Sequence, residues 1–277
     1  MIRFNFVYHR PETLAEAVEA YAHAEREGLK PAYLAGATEI LTFCRMGRMN
    51  PGALVDIKRI PECRVQSQED SELVFGAALT LNEVIEDDSF PLLRQASVIV
   101  DHTVRNRLTL GGNIAGMLPY RETVLPLLLA DARARLAGPA GVRIVPLAEV
   151  FSKSLRLAPG EVLAQVRVPK ALSSRACLYR RRVRKGRFDY PLVTACFLQA
   201  NGALRMAVAG AFSFPLRCPE AEKVLNDAAI PLAQRPAAVV AAIPHPIVAD
   251  MRASAAYRRM LFEKCIGEAL EAFKGVR

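Results

Sequence analysis

Two short segments of small residues are the strongest candidates for chemistry in this sequence. They are Ala35-Gly36-Ala37-Thr38 and Thr109-Leu110-Gly111-Gly112-Asn113. Small residues let backbone N–H groups approach a diphosphate closely, because no side chain intervenes. Thr38, Thr109 and Asn113 add side-chain donors. Together the segments predict a phosphate or diphosphate site, although turn chemistry alone explains either one by itself.

Neither segment matches a standard nucleotide-binding motif. The chain has no G-K-S/T sequence at these glycines, which excludes a Walker loop, and no G-x-G-x-x-G, so a Rossmann dinucleotide fold has no support.

Metal chemistry is not predicted for this chain. No two of the six cysteines lie within four residues of each other, and the four histidines form no H-x3-H or H-E-x2-H pattern. Iron–sulfur and structural zinc sites usually need such clusters. The cysteines are therefore expected to be free thiols, mostly in the core.

The elements around the first segment form a small unit in which helices and strands alternate. Apolar spacing and flanking residues predict a helix over 11–28, a strand over 32–35, a helix over 39–46 and a strand over 53–57. This order predicts a unit with parallel strands, in which the first segment joins a strand to a helix. Residues 1–6 are a candidate edge strand.

The remaining elements predict an α+β protein. Strands are expected at 73–77 and 161–168, short helices at 81–85 and 90–99, a helix at 122–131, and a hairpin that pairs 134–136 with 142–145. Beyond Pro169, three antiparallel strands (177–182, 193–200 and 204–211) and two helices (219–226 and 255–273) are expected. Asn201-Gly202 is a strong hairpin signal between the last two strands.

The charge distribution leaves three explanations of the basic surface open. The net charge is +9, and much of it lies in residues 175–187. A solvated face explains this run, and so does an acidic partner or an anionic cofactor; nucleic-acid binding is a further alternative, with no matching motif.

No apolar run reaches the roughly 18 residues of a membrane span, and no signal-peptide pattern begins the chain. The expected location is cytoplasmic.

Several segments, in order along the chain, are similar to those of one known group of proteins. Residues 35–40 resemble A-G-G-T-x-L, residues 104–115 resemble I-R-N-x-x-T-I-G-G-N-I/L-A, residues 119–132 resemble P-x-x-D followed by L-L-A-L-D-A, and residues 160–169 resemble G-E-I-L-x-x-x-x-x-P. Residues 53–62, 75–80, 189–193 and 250–259 are similar to further segments of the same group. The group comprises the FAD-binding (medium) subunits of the xanthine dehydrogenase and carbon monoxide dehydrogenase family of molybdenum hydroxylases. The similarity covers the chain from about Phe4 to Ala272.

The resemblance implies a three-part α+β fold. Residues 1–52 and 53–170 would be the two subdomains of the FAD-binding fold of molybdopterin dehydrogenases, which is of the PCMH/vanillyl-alcohol oxidase-like type. Residues 171–277 would be a C-terminal α+β domain with a three-stranded antiparallel sheet, like that of carbon monoxide dehydrogenase flavoproteins.

The resemblance also implies which residues hold non-covalent FAD. Carried over position by position, they are Leu34, Ala35, Gly36, Ala37, Thr38, Glu39, Ile40, Val104, Thr109, Gly111, Gly112, Asn113, Glu122, Leu163 and Arg181. Glu122 stands where the family has an Asp that contacts the ribose or adenosine side, and Leu163 lies on a strand near the adenine. Arg181 stands where the family has a Lys or Arg near the flavin; the alternative is a strand surface charge.

One position in the first segment departs from the family pattern. Ala37 replaces its second glycine, so a negative φ or mild strain is expected there. No catalytic side chain and no metal ligand are predicted.

The implied function is electron transfer within a larger complex. A molybdenum-cofactor large subunit and a 2Fe-2S small subunit would be the partners, and FAD on this chain would pass electrons to NAD+ or another acceptor. Nucleic acid is not an expected partner. The first alternative is a scaffold subunit that keeps the fold but binds FAD weakly or not at all. The second, nucleic-acid binding, has the least support.

Overall fold

The computed structural model describes residues 4–186 and 189–275, and these contain twelve strands and thirteen α-helices. The strands are β1 (Val7–His9), β2 (Pro31–Leu34), β3 (Ala53–Asp56), β4 (Gln66–Glu69), β5 (Glu72–Gly76), β6 (Arg133–Gly138), β7 (Gly141–Pro146), β8 (Val162–Pro169), β9 (Cys177–Val183), β10 (Pro191–Ala200), β11 (Ala203–Ala209) and β12 (Leu216–Arg217). The helices are α1 (Leu14–Arg26), α2 (Thr38–Arg45), α3 (Pro61–Arg64), α4 (Leu81–Glu86), α5 (Pro91–Ser97), α6 (His102–Arg105), α7 (Leu110–Ala115), α8 (Val124–Leu129), α9 (Leu147–Val150), α10 (Lys170–Ser173), α11 (Pro219–Asn226), α12 (Arg235–Ala241) and α13 (Ala255–Ala272).

The chain divides into two compact units. The first unit contains Met1–Asp87, Asp101–Gly116 and Asp131–Lys170, and the second contains Asp88–Val100, Met117–Ala130 and Ala171–Arg277. The three-domain division at residues 52 and 170 stays a prediction.

The first unit begins with a three-stranded parallel sheet in the order β1-β3-β2. Helix α1 starts at Leu14 because the Thr13 side chain accepts a hydrogen bond from the Glu16 N–H. The parallel pairing of β2 with β3 confirms the predicted unit. The edge strand is Val7–His9 rather than residues 1–6; residues 4–6 lie outside any strand, and residues 1–3 lie outside the described chain.

A five-stranded antiparallel sheet, in the order β4-β5-β8-β6-β7, completes the first unit. The predicted hairpin is β6 with β7, which turns at residues 139–140. Buried residues of α1, β3, β6 and β8 form one core cluster, so the two sheets share a hydrophobic interior. This shared core fixes the end of β2 and therefore the loop that follows it.

The second unit is built on an antiparallel sheet in the order β12-β11-β10-β9. The three predicted strands are present, and the two-residue strand β12 adds a fourth, which is too short to give a hydrophobic pattern in the sequence. Odd-numbered residues of β10 such as Val193 and Phe197 share a core with Phe262 and Ile266 of α13. Since strand residues alternate between faces, Thr194 and Cys196 lie on the other face of the sheet. Both are fully buried.

Candidate functional site

The first predicted loop joins β2 to α2 in the first unit. Leu34 ends β2 and is buried, and α2 starts at Thr38 with Ala37 as its N-cap residue. None of the side chains that the structure describes caps this helix start. The first N–H groups of an α-helix have no partner inside the helix, and the helix dipole favours an anion there. The start of α2 therefore provides donors suited to a phosphate.

Ala37 has a left-handed backbone. Its φ is 64° and its ψ is −9°. A β-carbon in this region lies too close to the following carbonyl, so glycine is favoured there. The sequence predicted either a negative φ or mild strain at Ala37, and the structure shows the strained conformation.

The two glycine segments touch each other backbone to backbone. A β-carbon built on Gly36 would lie 1.9 Å from the Arg107 carbonyl oxygen and 3.2 Å from the Thr109 nitrogen. No residue with a side chain fits at this contact without moving backbone. The contact is consistent with the predicted joining of the two segments into one site, and only glycine at position 36 permits it.

The second segment is the start of a short helix, not an open loop. The Thr109 hydroxyl caps α7 by accepting from the Gly112 N–H at 3.2 Å. The Leu110 and Gly111 N–H groups donate to the carbonyls of Leu79 and Ala77, at 2.9 and 2.8 Å. The Asn113 N–H donates to the Thr109 carbonyl at 2.8 Å. The protein itself therefore uses these amides, and contact of this segment with a diphosphate stays a prediction.

Gly111 is required for packing. A β-carbon there would lie 2.6 Å from the Ala77 β-carbon and 2.8 Å from the Ala77 carbonyl oxygen. Its small size lets α7 lie directly on the backbone that follows β5. The second segment thus packs beneath the first loop. Gly111 is its buried residue and Gly112 is exposed to solvent.

Lys58 adds a positive charge at the first loop. Its Nζ donates to the Ala35 carbonyl at 3.0 Å and to Asp56 Oδ2 at 2.7 Å, and the Tyr8 hydroxyl donates to the same Asp56 oxygen. Although burial acts to raise the pKa of Asp56, the hydrogen bonds from Lys58 and Tyr8 hold it below its usual value. The Lys58 side chain is 40% exposed, so its charge reaches solvent beside the loop.

Sequence reasoning missed Lys58, although a signal for it existed. Strand β3 pairs with β2 in parallel and in register, with Leu34 opposite Asp56. The carboxyl ends of neighbouring parallel strands meet at one edge of the sheet. A lysine two residues after the end of β3 is therefore placed beside the loop that follows β2.

Glu122 and Arg181 meet in the second unit. Glu122 is 1% exposed, and Arg181 Nε lies 3.5 Å from its Oε1. Among the described residues, neither carboxylate oxygen of Glu122 has a hydrogen-bond partner. Burial raises the pKa of Glu122 to about 7, and Arg181 only partly offsets this effect. The pair supplies a buried acceptor that suits a hydroxyl donor such as that of a ribose.

Arg181 is not a surface charge. Its side chain is 12% exposed and donates from Nη2 to the Asp189 carbonyl at 2.6 Å. It pairs across the sheet with Thr194, on the face opposite the α13 core. Alternation along β9 sends Arg180 and Arg182 to the α13 side, where both form ion pairs with Glu268. The alternative of a solvated strand residue is wrong for Arg181.

The other two nominated residues differ in exposure. Leu163 is 5% exposed on β8, opposite Leu136 of β6, in the first unit. Val104 is 38% exposed on α6. Leu163 thus belongs to the interior of the sheet, whereas Val104 lies at the surface.

The described residues contain no group of three or more His, Cys, Asp or Glu side chains that could hold a metal ion. The six cysteines are free; five are buried and Cys177 is intermediate, as predicted. Among the described helices, none combines the length and apolarity that a bilayer crossing requires.

Comparison with known proteins identifies the family. Residues 3–171 match the family model described as the FAD binding domain in molybdopterin dehydrogenase. This chain belongs to that family. Membership confirms the predicted α+β fold class, the FAD cofactor and the oxidoreductase class.

Relatives and solved structures match over almost the whole chain. The carbon monoxide dehydrogenase medium chain of Afipia carboxidovorans is 29% identical, over 99% of this chain and 98% of its own. The xanthine dehydrogenase FAD-binding subunit of Escherichia coli O157:H7 is 28% identical, over 98% and 99%. A chain in the structure of carbon monoxide dehydrogenase from Hydrogenophaga pseudoflava has a TM-score of 0.86 and 29% identity, over 98% of both chains.

Each unit, taken by itself, contains residues that fit a part of FAD. In the first unit, the uncapped start of α2 and the Lys58 ammonium suit a diphosphate, which carries negative charge and many acceptors. In the second unit, the buried carboxylate of Glu122 suits a hydroxyl group.

Proposed function

We propose that this chain is the electron-transfer flavoprotein subunit of a molybdenum hydroxylase complex. It would receive electrons from a 2Fe-2S partner subunit, which in turn takes them from a molybdenum-cofactor large subunit. NAD+ or another acceptor would be the final acceptor. The observation that carries the proposal is the contact of the two glycine segments at Gly36, beside an uncapped helix start and Lys58.

Bound FAD supplies the redox chemistry, and the chain supplies position and charge. The start of α2 and Lys58 would hold the diphosphate. The second glycine segment would pack beside the diphosphate through Thr109, Gly111, Gly112 and Asn113. The remaining nominated contacts are Leu34 to Ile40, Val104, Glu122, Leu163 and Arg181.

The domain division and the location are part of the same proposal. Residues 1–52 and 53–170 would act as two FAD-binding subdomains, and residues 171–277 as the C-terminal domain. The protein would work in the cytoplasm. The absence of cysteine clusters from the sequence is consistent with iron–sulfur clusters on another subunit.

The test begins with flavin content. The purified chain is expected to absorb near ~370 and ~450 nm, and heat denaturation should release FAD into the supernatant, as for a non-covalent flavoprotein. A chain that stays colourless after incubation with excess FAD would refute FAD binding by the isolated subunit.

The strain at Ala37 favours one second candidate, a scaffold subunit with weak FAD binding. Co-expression with the two partner subunits separates it from the main proposal. If the complex assembles and contains FAD, the electron-transfer role stands. If the complex assembles without flavin, the scaffold role replaces it.

A further inference from the structure

The second unit contains a cavity of about 230 Å³ whose walls carry two arginines and two aromatic rings. The side chains that matter are Tyr120, Phe212, Ser213, Asp250, Arg252 and Arg258. Arg258 and Phe212 are fully buried and form the deep part, whereas Asp250 and Arg252 are partly exposed. None of these residues is among the nominated FAD contacts.

The charges that line this cavity do not balance. Asp250 Oδ1 accepts from Arg258 Nη2 at 2.8 Å, and Asp250 Oδ2 accepts from Arg252 Nη2 at 2.9 Å. One carboxylate therefore serves two guanidinium groups, which leaves one positive charge uncompensated among the lining side chains. Burial, together with the neighbouring Arg258, lowers the pKa of Arg252. A bound anion would complete the balance.

Arg258 also has an unused donor. Its Nη1 donates to the carbonyls of Leu192 and Gly210, at 2.7 and 2.9 Å, and its Nη2 donates to Asp250. Its Nε is buried and has no hydrogen-bond partner among the described residues. Buried donors without acceptors are rare in folded proteins, so each one indicates a missing partner.

The wall beside Arg252 is aromatic. The Tyr120 and Tyr190 rings pack with centroids 4.9 Å apart. The Arg252 guanidinium carbon lies 4.7 Å from the Tyr120 centroid and 5.7 Å from that of Tyr190. Phe212 extends the apolar surface inward. Such rings favour a flat organic group over a hydrated inorganic ion.

We propose that this cavity binds a small planar organic carboxylate. Its carboxylate would pair with the guanidinium groups of Arg252 and Arg258, and its ring would lie against Tyr120 and Phe212. The size agrees, since the cavity holds the volume of only about seven or eight liquid waters, which is close to that of one ring with a carboxylate. The site is independent of the FAD proposal.

The test uses benzoate as the probe, with benzamide as its neutral isostere and inorganic phosphate as a non-planar anion. Isothermal titration calorimetry of the purified chain is expected to give one benzoate site and at least about tenfold weaker binding of benzamide and phosphate. Arg252→Gln is expected to weaken benzoate binding roughly tenfold or more, because the variant loses the more exposed of the two guanidinium groups that would pair with the carboxylate. Arg259→Gln, at an exposed arginine next to Arg258 on α13, is the matched control and should bind as wild type.

Four results would overturn the proposal: no benzoate binding, equal binding of benzoate and benzamide, equal binding of benzoate and phosphate, or an unchanged affinity in Arg252→Gln. Tyr120→Ala tests the aromatic wall separately and is expected to weaken benzoate but not phosphate. The titration is repeated on chain saturated with FAD. Undiminished benzoate binding there supports a separate site, whereas displacement by FAD would make the cavity part of the flavin site.

Discussion

Ala37 holds a backbone conformation that disfavours every residue with a β-carbon, at the start of the helix proposed to face a diphosphate. Its φ of 64° makes the chain less stable here than a glycine would. At the same scale, Glu122 is a carboxyl group without a hydrogen-bond partner among the described residues, in a fully buried position. Both residues lie where the family pattern has a different residue, and both lead to direct tests.

Replacing Ala37 by glycine is expected to stabilise the chain. The change removes the left-handed strain, and the greater freedom of glycine in the unfolded chain offsets part of the gain, so a net increase of about 0.5–1 kcal/mol is expected. Urea unfolding measures it, and FAD affinity should be equal or tighter. Ala22→Gly in the middle of α1 is the control and should destabilise by about 1 kcal/mol. A destabilised Ala37→Gly variant would contradict the left-handed assignment.

The stability of the FAD-free chain is expected to fall as pH rises. Because the pKa of Glu122 is about 7 in the folded chain and about 4.3 when unfolded, the folded chain binds this proton more tightly. The contribution of this bound proton to the free energy of unfolding is complete below about pH 4 and is lost as pH rises through about 7. The full effect is on the order of 4 kcal/mol. Arg181, Tyr179 and Cys196 are the other titratable groups that interact with this carboxyl.

Glu122→Gln should remove most of that pH dependence. Urea midpoints at about pH 5 and about pH 8 are the measurement, and Glu149→Gln, at an exposed carboxylate, should keep the wild-type slope. A wild-type midpoint that stays level or rises between the two pH values would show that Arg181 outweighs the burial of Glu122.

At the scale of elements, the site depends on how closely two segments approach each other. Helix α2 provides the donors, while α7 satisfies its own N–H groups through Thr109, Ala77 and Leu79. The second glycine segment therefore serves to support the first. Gly36 is the contact point between them.

Gly36→Ala is expected to separate the two segments. The new methyl group would meet the Arg107 carbonyl, and backbone cannot yield as a flexible side chain can. A loss of stability of about 1–3 kcal/mol is expected, with FAD affinity reduced by at least roughly tenfold because the helix start moves. Equilibrium dialysis with FAD and thermal unfolding are the measurements.

Gly267→Ala is the matched control for this glycine substitution. A β-carbon at Gly267 meets nothing within 4 Å, so alanine in the middle of α13 should stabilise by about 0.5–1 kcal/mol and leave FAD binding unchanged. If Gly36→Ala behaves like this control, the segments do not meet as described.

At the scale of the whole molecule, the net charge of +9 is spread unevenly, but the basic run is not a free surface. Arg180 and Arg182 pair with Glu268, and Arg181 lies beside Glu122. The run continues to Arg184 and Lys185, while Arg187 lies outside the described residues. Ion pairs within the unit thus account for much of a pattern that the sequence alone left open to nucleic acid.

Duplex DNA is accordingly expected to bind only weakly. Because Arg180, Arg181 and Arg182 of the basic run are held in ion pairs within the protein, the logarithm of the association constant should fall with the logarithm of salt concentration at a shallow slope, of about −2 or less in magnitude. Fluorescence anisotropy with a labelled duplex at several salt concentrations measures it. A steep slope would restore the nucleic-acid alternative.

The sequence by itself determined most of the longer elements, the fold class and the family. Apolar spacing located α1, α2 and the pair β2 and β3, since these patterns are local and repeat with the geometry of helix and strand. The ordered set of segments along the chain indicated the FAD-binding family that the comparisons confirm. Strands β4 and β12 were missed, because four polar residues or two residues carry no such pattern. Helices α3, α6, α7, α9, α10 and α12 were also missed, because four to seven residues are too few to show a helical apolar repeat clearly.

Only the tertiary structure decided what the individual site residues do. Whether an amide is free depends on which distant carbonyl lies opposite it, as for Gly111 and Ala77. Whether an arginine side chain is exposed depends on which residues pack on its face of the sheet, as for Arg181 beside Glu122. Lys58 reaches Ala35 only because two strands pair in parallel and in register. These are contacts between residues far apart in the chain, and local spacing does not specify them.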